Sequence, residues 1–225
     1  MQADFWHERW QSGQIGFHEA DTNPLLLAHF AALKLAAGSR LFLPLCGKTR
    51  DIAWLLAQGY RVAGAELSAI AAEQLFSELG ARPRISRVGE LRCYQANDLD
   101  IFVGDIFMLT GDLLGPVDAV YDRAALVALP PAMRKRYTAH LRAITAAAPQ
   151  LLICFEYDQS FMDGPPFSVD EDEVRQHYAG HFQLSVLAEQ EVPGGLKGKT
   201  AATERVWLLS QRSAEFTAYD SSEFM

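Results

Sequence analysis

Apolar residues in this chain come in two alternating rhythms. Short, nearly continuous runs have the length of buried strands: LFLPL (41–45), RVAGAEL (61–67), LDIFVGDIF (99–107), VDAVYD (117–122) and QLLICFEYD (150–158). Longer segments with helical periodicity lie between them. DIAWLLAQ (51–58) is closed by Gly59, and SAIAAEQLFSEL (68–79) has Ser68 as its N-cap and Gly80 just past its end. PPAMRKRYTAHLRAITAAA (130–148) carries Pro131 in its first turn, and VDEDEVRQHY (169–178) opens on acidic residues. FQLSVLAEQEV (182–192) and TERVWLLSQ (203–211) predict a closing antiparallel pair. Strands alternating with helices predict a parallel sheet covered on both faces, with right-handed crossovers.

No internal repeat and no linker divides the chain, so residues 1–212 are expected to form one domain. Residues 1–22 precede the first strand and carry Trp6, Trp10, Phe17 and His18. Trp6 and Trp10 are four apart and share one helical face. This stretch is expected to act as a cover segment. Residues 213–225 are polar and aperiodic, either a disordered tail or an expression remnant.

Composition narrows the class. A formal net charge of −8 argues against the basic face that nucleic-acid binding needs. No run of about 18 apolar residues suggests a membrane span. The opening MQADFWHERW does not read as a signal peptide. Cys46, Cys93 and Cys154 form neither a disulfide framework nor a zinc knuckle, which suits a reducing cytoplasm. His177 and His181 are separated by Gly180 and a helix end, so no metal site is expected. The expected partner is a small molecule bound by a monomer, with no nucleic acid or membrane involved.

The turn after the first strand is the first candidate site. In PLCGKT, the letters GKT suggest a phosphate loop, but the glycine five positions before Gly47 is replaced by Phe42. G-x-G-x-x-G fails too, with Leu45 and Arg50 at the flanking glycine positions. A strand, a tight turn and a helix remain, which is where such sheets bind ligands without needing a diphosphate. Glu66, about 20 residues on at the end of the next strand, is placed to bond both hydroxyls of a ribose. Asp105, or the amide of Ile106, is placed to meet an adenine edge. Ribose and adenine without phosphate point to S-adenosylmethionine.

FWHERWQSGQIGFHE (5–19), FLPLCGKTRDIAWLLAQGYRVAGAELS (42–68), YDRAALVALPPAMRKRY (121–137) and YDQSFMDGPPFSV (157–169) resemble, in order, the bacterial branch of the thiopurine S-methyltransferase family. The resemblance runs from about residue 5 to residue 209. PLCGK and YDRAALVA are unusual among methyltransferases, and the general E/D-x-G-x-G pattern is replaced by the family's own PLCG form. The resemblance implies a class I methyltransferase fold: a Rossmann-like three-layer α/β sandwich, with a mostly parallel seven-stranded sheet, an antiparallel closing strand and an N-terminal lid. It implies S-adenosylmethionine as methyl donor and S-adenosylhomocysteine as product. Trp10, Leu45, Glu66 and Arg123 would contact the donor. The family's acceptors are aromatic and heterocyclic thiols, thiopurines among them. Bacterial relatives are associated with selenium and tellurium methylation and tellurite resistance.

On that reading a thiolate sulfur attacks the donor methyl in line, and charge disappears towards the transition state. Alignment and exclusion of water then do most of the work, and no general base is assigned. Leu45 and Gly47 are expected to approach the donor through their backbone; otherwise they are a strand end and a turn. Arg123 is expected to stabilise an anionic acceptor; otherwise it pairs with Asp122 at the surface. The Trp10 ring suits a sulfonium. Phe17 and His18 belong to a cover over the acceptor. Phe167, after the stiff GPP turn, either walls the acceptor pocket or serves a rigid connection. Cys46 is read as a packing residue. Competing readings are a methyltransferase for selenium or tellurium compounds, a non-catalytic sensor of the donor, and, last, a nicotinamide oxidoreductase.

Overall fold

The computed structural model describes residues 3–16 and 18–212. Phe17 and the 213–225 tail lie outside the described residues. The strands are, in chain order, β1 (Arg40–Leu43), β2 (Arg61–Glu66), β3 (Arg84–Val88), β4 (Leu91–Ala96), β5 (Leu99–Val103), β6 (Ala119–Arg123), β7 (Gln150–Tyr157), β8 (Phe182–Glu191) and β9 (Ala202–Gln211). They form one sheet in the order 3-4-5-2-1-6-7-9-8. The five central strands β5, β2, β1, β6 and β7 are mutually parallel. Antiparallel strands extend both edges.

The class is the expected one, but the described residues form nine strands rather than seven. The unforeseen pair is the β3–β4 hairpin, which turns at Gly89, in the left-handed region at φ 60°. β3 reads RISRV and is an edge strand without a fully buried position, so it carries no apolar alternation to detect. The other strands match their sequence segments within a few residues.

The helices are α1 (Ala3–Gln11), α2 (Pro24–His29), α3 (Arg50–Ala57), α4 (Ala69–Glu78), α5 (Gly111–Leu114), α6 (Pro131–Ile144) and α7 (Glu171–Tyr178). Leu26, Ile52, Leu55 and Phe76 pack α2, α3 and α4 on one face of the sheet around Leu41 and Leu43. Leu114, Tyr137, Leu141 and Val174 pack α5, α6 and α7 on the other, around Phe42 and Val120. Alternate residues of β1 thus feed two cores, which explains its unbroken apolar run.

Local caps set the helix starts. Thr49 accepts from the Asp51 amide at 3.3 Å, and Asp170 accepts from the Glu173 amide at 2.8 Å. Ser68 holds the expected N-cap position, but its hydroxyl makes no capping bond. Arg134, 1% exposed, joins the connection after β7 to the start of α6. Its guanidinium donates to the carbonyls of Leu129 (2.9 Å) and Ser168 (3.1 Å) and pairs with Glu173 at 2.5 Å.

Candidate active site

The chain leaves β1 towards β2 on one side, and β6 lies on the other. The carboxyl ends of these strands therefore open a crevice at the point where strand order reverses. A cavity of about 640 Å³ occupies it. That is within the usual range for small-molecule sites.

Its floor is the PLCGK turn. Pro44 and Leu45 leave β1 with Leu45 in the left-handed region at φ 46°, and Gly47 follows at φ 54°. A Cβ at Gly47 would lie 3.3 Å from Cζ2 of Trp10, so the absent side chain is what lets the indole close on the turn. Trp10 is itself buried. Lys48, the residue that suggested a phosphate loop, pairs with Glu78 at 2.6 Å.

Glu66 is the best-defined polar group of the site. Its Oε2 accepts from the Gly47 amide at 2.8 Å and its Oε1 from the Ser68 amide at 2.7 Å. Its carbonyl accepts from the Gly104 amide at 2.9 Å. Three loops thus converge on one residue. It is 6% exposed, and burial lifts its carboxyl to about 7 against the pull of the Ser68, Gly47 and Leu67 amides. Each oxygen accepts one of the two short amide bonds, and the residue lines the cavity.

Asp105 and Ile106 line the next wall. The Asp105 carboxylate is already engaged as a cap, accepting from the Phe107 amide at 3.0 Å. The Ile106 carbonyl lies 2.8 Å from Nε2 of His140. Arg136 stacks 3.7 Å over the Phe107 ring, and both line the cavity.

Arg123 enters from the end of β6, followed by Ala124 at φ 61°. It does not pair with Asp122. The two side chains point to opposite faces of the strand, and Asp122 is buried in the core with Tyr137 Oη at 2.7 Å and the Leu126 amide at 3.0 Å. Arg123 instead pairs with Glu19 of the N-terminal segment. That segment is pinned again four residues on, where the Asn23 amide donates to buried Asp51 at 2.8 Å. Tyr121 Oη also donates to Asp51, at 3.1 Å.

The structure therefore brings Trp10, His18, Leu45, Gly47, Glu66, Asp105, Ile106 and Arg123 around one cavity. His18 is held below the ordinary imidazole range, first by burial and then by Lys48. Phe167 is not among the lining residues. Its ring lies 5.7 Å from the Arg134 guanidinium, and Pro165 and Pro166 face the cavity in its place. Glu19, Asp51 and Lys197 also line the cavity and were not anticipated. Glu19 ends a stretch noted for its aromatics, Asp51 follows a helix cap, and Lys197 sits among turn glycines. Only Asp51, directly after the turn, carried a positional signal.

The family model described as thiopurine S-methyltransferase matches residues 1–212. The "Thiopurine S-methyltransferase" of Xanthobacter autotrophicus is 58% identical over 212 residues, covering 94% of this chain and 100% of that one. The protein of the same name from Gluconobacter oxydans is 50% identical, covering 92% and 94%. Among solved structures, the Burkholderia thailandensis 1,6-didemethyltoxoflavin-N1-methyltransferase, with S-adenosylhomocysteine bound, superposes with a TM-score of 0.63 at 18% identity, covering 93% of this chain and 87% of that one. A methyltransferase from Anabaena variabilis superposes at 0.60 with 14% identity, covering 93% and 95%.

Proposed function

The chain belongs to the thiopurine S-methyltransferase family and is an S-adenosylmethionine-dependent methyltransferase, and from that premise we propose that it methylates the sulfur of aromatic and heterocyclic thiols such as thiopurines. The observation that carries this reading is one cavity with buried Glu66 at its inner end and Arg123 at its mouth. No helix among the described residues is long and apolar enough to cross a membrane.

The residues present suit the methyl donor. The two Glu66 oxygens line the cavity and match a vicinal diol, and the missing Cβ of Gly47 lets the Trp10 indole close on the turn beside them. Glu66 would hold the ribose, the Leu45–Gly47 turn the amino-acid portion, and Asp105 with Ile106 the adenine side. Trp10 would close over the sulfonium with its ring face. When bound, the donor supplies an electrophilic methyl group.

Arg123 would face the acceptor sulfur. Its side chain is 12% exposed, and a guanidinium so placed favours the thiolate form of an acceptor. His18 and the Pro165–Pro166 turn wall the mouth and exclude water, which strengthens the charge attraction that closes the reaction.

The test is formation of S-adenosylhomocysteine by purified protein with and without 6-mercaptopurine. Acceptor-dependent product, abolished by Glu66→Ala, supports the reading. Donor binding without product would move selenium and tellurium acceptors, and then a sensor role, to the front.

A further inference from the structure

Glu19 occupies a position that thiolate stabilisation alone does not require. It lies at the cavity mouth, touching the one arginine proposed to face the acceptor sulfur. Its second oxygen has only a long contact, 3.4 Å from Asn23 Nδ2. The side chain is 46% exposed and lines the cavity. Guanidinium and carboxylate side by side form a donor–acceptor edge. Its complement is an edge with an acceptor atom beside an N–H.

Heterocyclic thiols present that edge. In their neutral form they exist largely as thiones, with sulfur next to a ring N–H. Methylating the sulfur of a thione leaves a protonated ring nitrogen, a strong acid, unless the proton departs as the bond forms. We infer that Glu19 is the proton acceptor for thione acceptors, receiving the ring N–H proton while Arg123 holds the sulfur. The inference rests on the reading of the cavity as a thiol S-methyltransferase site.

The step balances. The acceptor sulfur forms its bond to the methyl carbon, and the donor's S–CH3 bond breaks with its electron pair retained on the departing sulfur. The N–H bonding pair becomes the ring C=N bond, and the proton passes to a Glu19 oxygen. One positive and one negative charge cancel, leaving neutral thioether, neutral S-adenosylhomocysteine and neutral Glu19. A carboxylate suffices as base because the N–H acidifies as the S–C bond forms.

Several titratable groups surround Glu19. Arg123 faces it from β6, and Tyr121 with Asp51 lies beneath. Glu204 faces it from β9, its carboxyl raised by burial and lowered by Arg123. His18 precedes it in the chain. None of these makes the observed contact with Arg123 that places a carboxylate beside the sulfur position.

The test compares two acceptors in the full chain. 6-Mercaptopurine is largely a thione at pH 6.5, whereas 4-nitrothiophenol is already a thiolate. Glu19→Gln is expected to lower kcat for 6-mercaptopurine about a hundredfold at pH 6.5. The loss on 4-nitrothiophenol should be at least tenfold smaller, and the difference should close by pH 9 as 6-mercaptopurine ionises. Glu19→Asp should recover part of the thione activity, and it carries the same comparison if Glu19→Gln does not fold. Equal losses on both acceptors, or a gap that ignores pH, would overturn the proposal and leave Glu19 as a latch on Arg123. Failure of the parent reading looks different: the unaltered protein would then form no product with either acceptor.

Discussion

Glu66 ends β2, and Asp122 stands one residue before the end of β6, on the two strands that flank β1. Both are buried, both accept two hydrogen bonds, and burial raises both, Glu66 to about 7 and Asp122 to about 6. What differs is the direction in which each is open. Two backbone amides hold Glu66 and leave its oxygens facing a cavity. Asp122 is closed off by the Leu126 amide and the Tyr137 hydroxyl beneath α6. A displaced carboxyl therefore reports burial, and only the accessible one of this pair can serve a ligand.

Exchanging the two roles should fail in measurable ways. Glu66→Gln keeps the shape but removes the charge that two hydroxyls would meet. It should weaken S-adenosylhomocysteine binding about a hundredfold by calorimetry, from hydrogen bonds to a charged group worth about 1.5–3 kcal/mol each. Asp122→Ala strands an amide and a hydroxyl in the core. It should cost about 3 kcal/mol in urea unfolding while binding stays within about threefold. Weakened binding at unchanged stability would erase the distinction.

A pH series sharpens it further. The folded state holds the Glu66 proton up to about 7, against 4.5 for an ordinary glutamate carboxyl. Between those values the unfolded chain has lost the proton first, so the free protein loses stability as pH rises from about 4.5 to about 7. The loss should be on the order of 2–3 kcal/mol. Glu66→Gln should lack this component when unfolding curves are compared at pH 5 and pH 8. Ligand affinity should run the other way, rising as Glu66 ionises near pH 7 and staying flat in Glu66→Gln. The smallest effect belongs to Gly47→Ala, at about 1 kcal/mol for a side chain in the left-handed region. It should also bring a severalfold loss of affinity as Trp10 is pushed from 3.3 Å.

The Glu66 half of this pair was legible from sequence, because strand, turn and spacing are local and repeat in sequence order. The Asp122 half was not. YDR allowed a surface pair between Asp122 and Arg123, and only the pleat of β6 sends them apart. The partner that Arg123 does take, Glu19, lies 104 residues away, a separation that no pattern along the chain encodes. Most of the sheet followed from apolar runs buried on both faces. β3 escaped because an exposed edge strand has no face to pattern, and β4, though Leu91, Cys93 and Tyr94 are buried, went undetected with its hairpin partner. Phe167 shows a third limit. Its neighbours Pro165 and Pro166 face the cavity, while its own ring is taken by Arg134, whose burial nothing in its helical context announced.

The N-terminal segment is fastened unequally. Asn23 is bonded to a buried aspartate, Glu19 to an arginine at the mouth, and Trp10 is packed down on the Gly47 turn. On the proposed reading, the donor would lie beneath the indole and the acceptor nearer the more exposed Glu19. Traffic through the site should therefore be ordered: donor first in, demethylated donor last out. Steady-state kinetics would show it as S-adenosylhomocysteine competing with the donor at every acceptor concentration, while the methylated thiol is noncompetitive against both donor and acceptor.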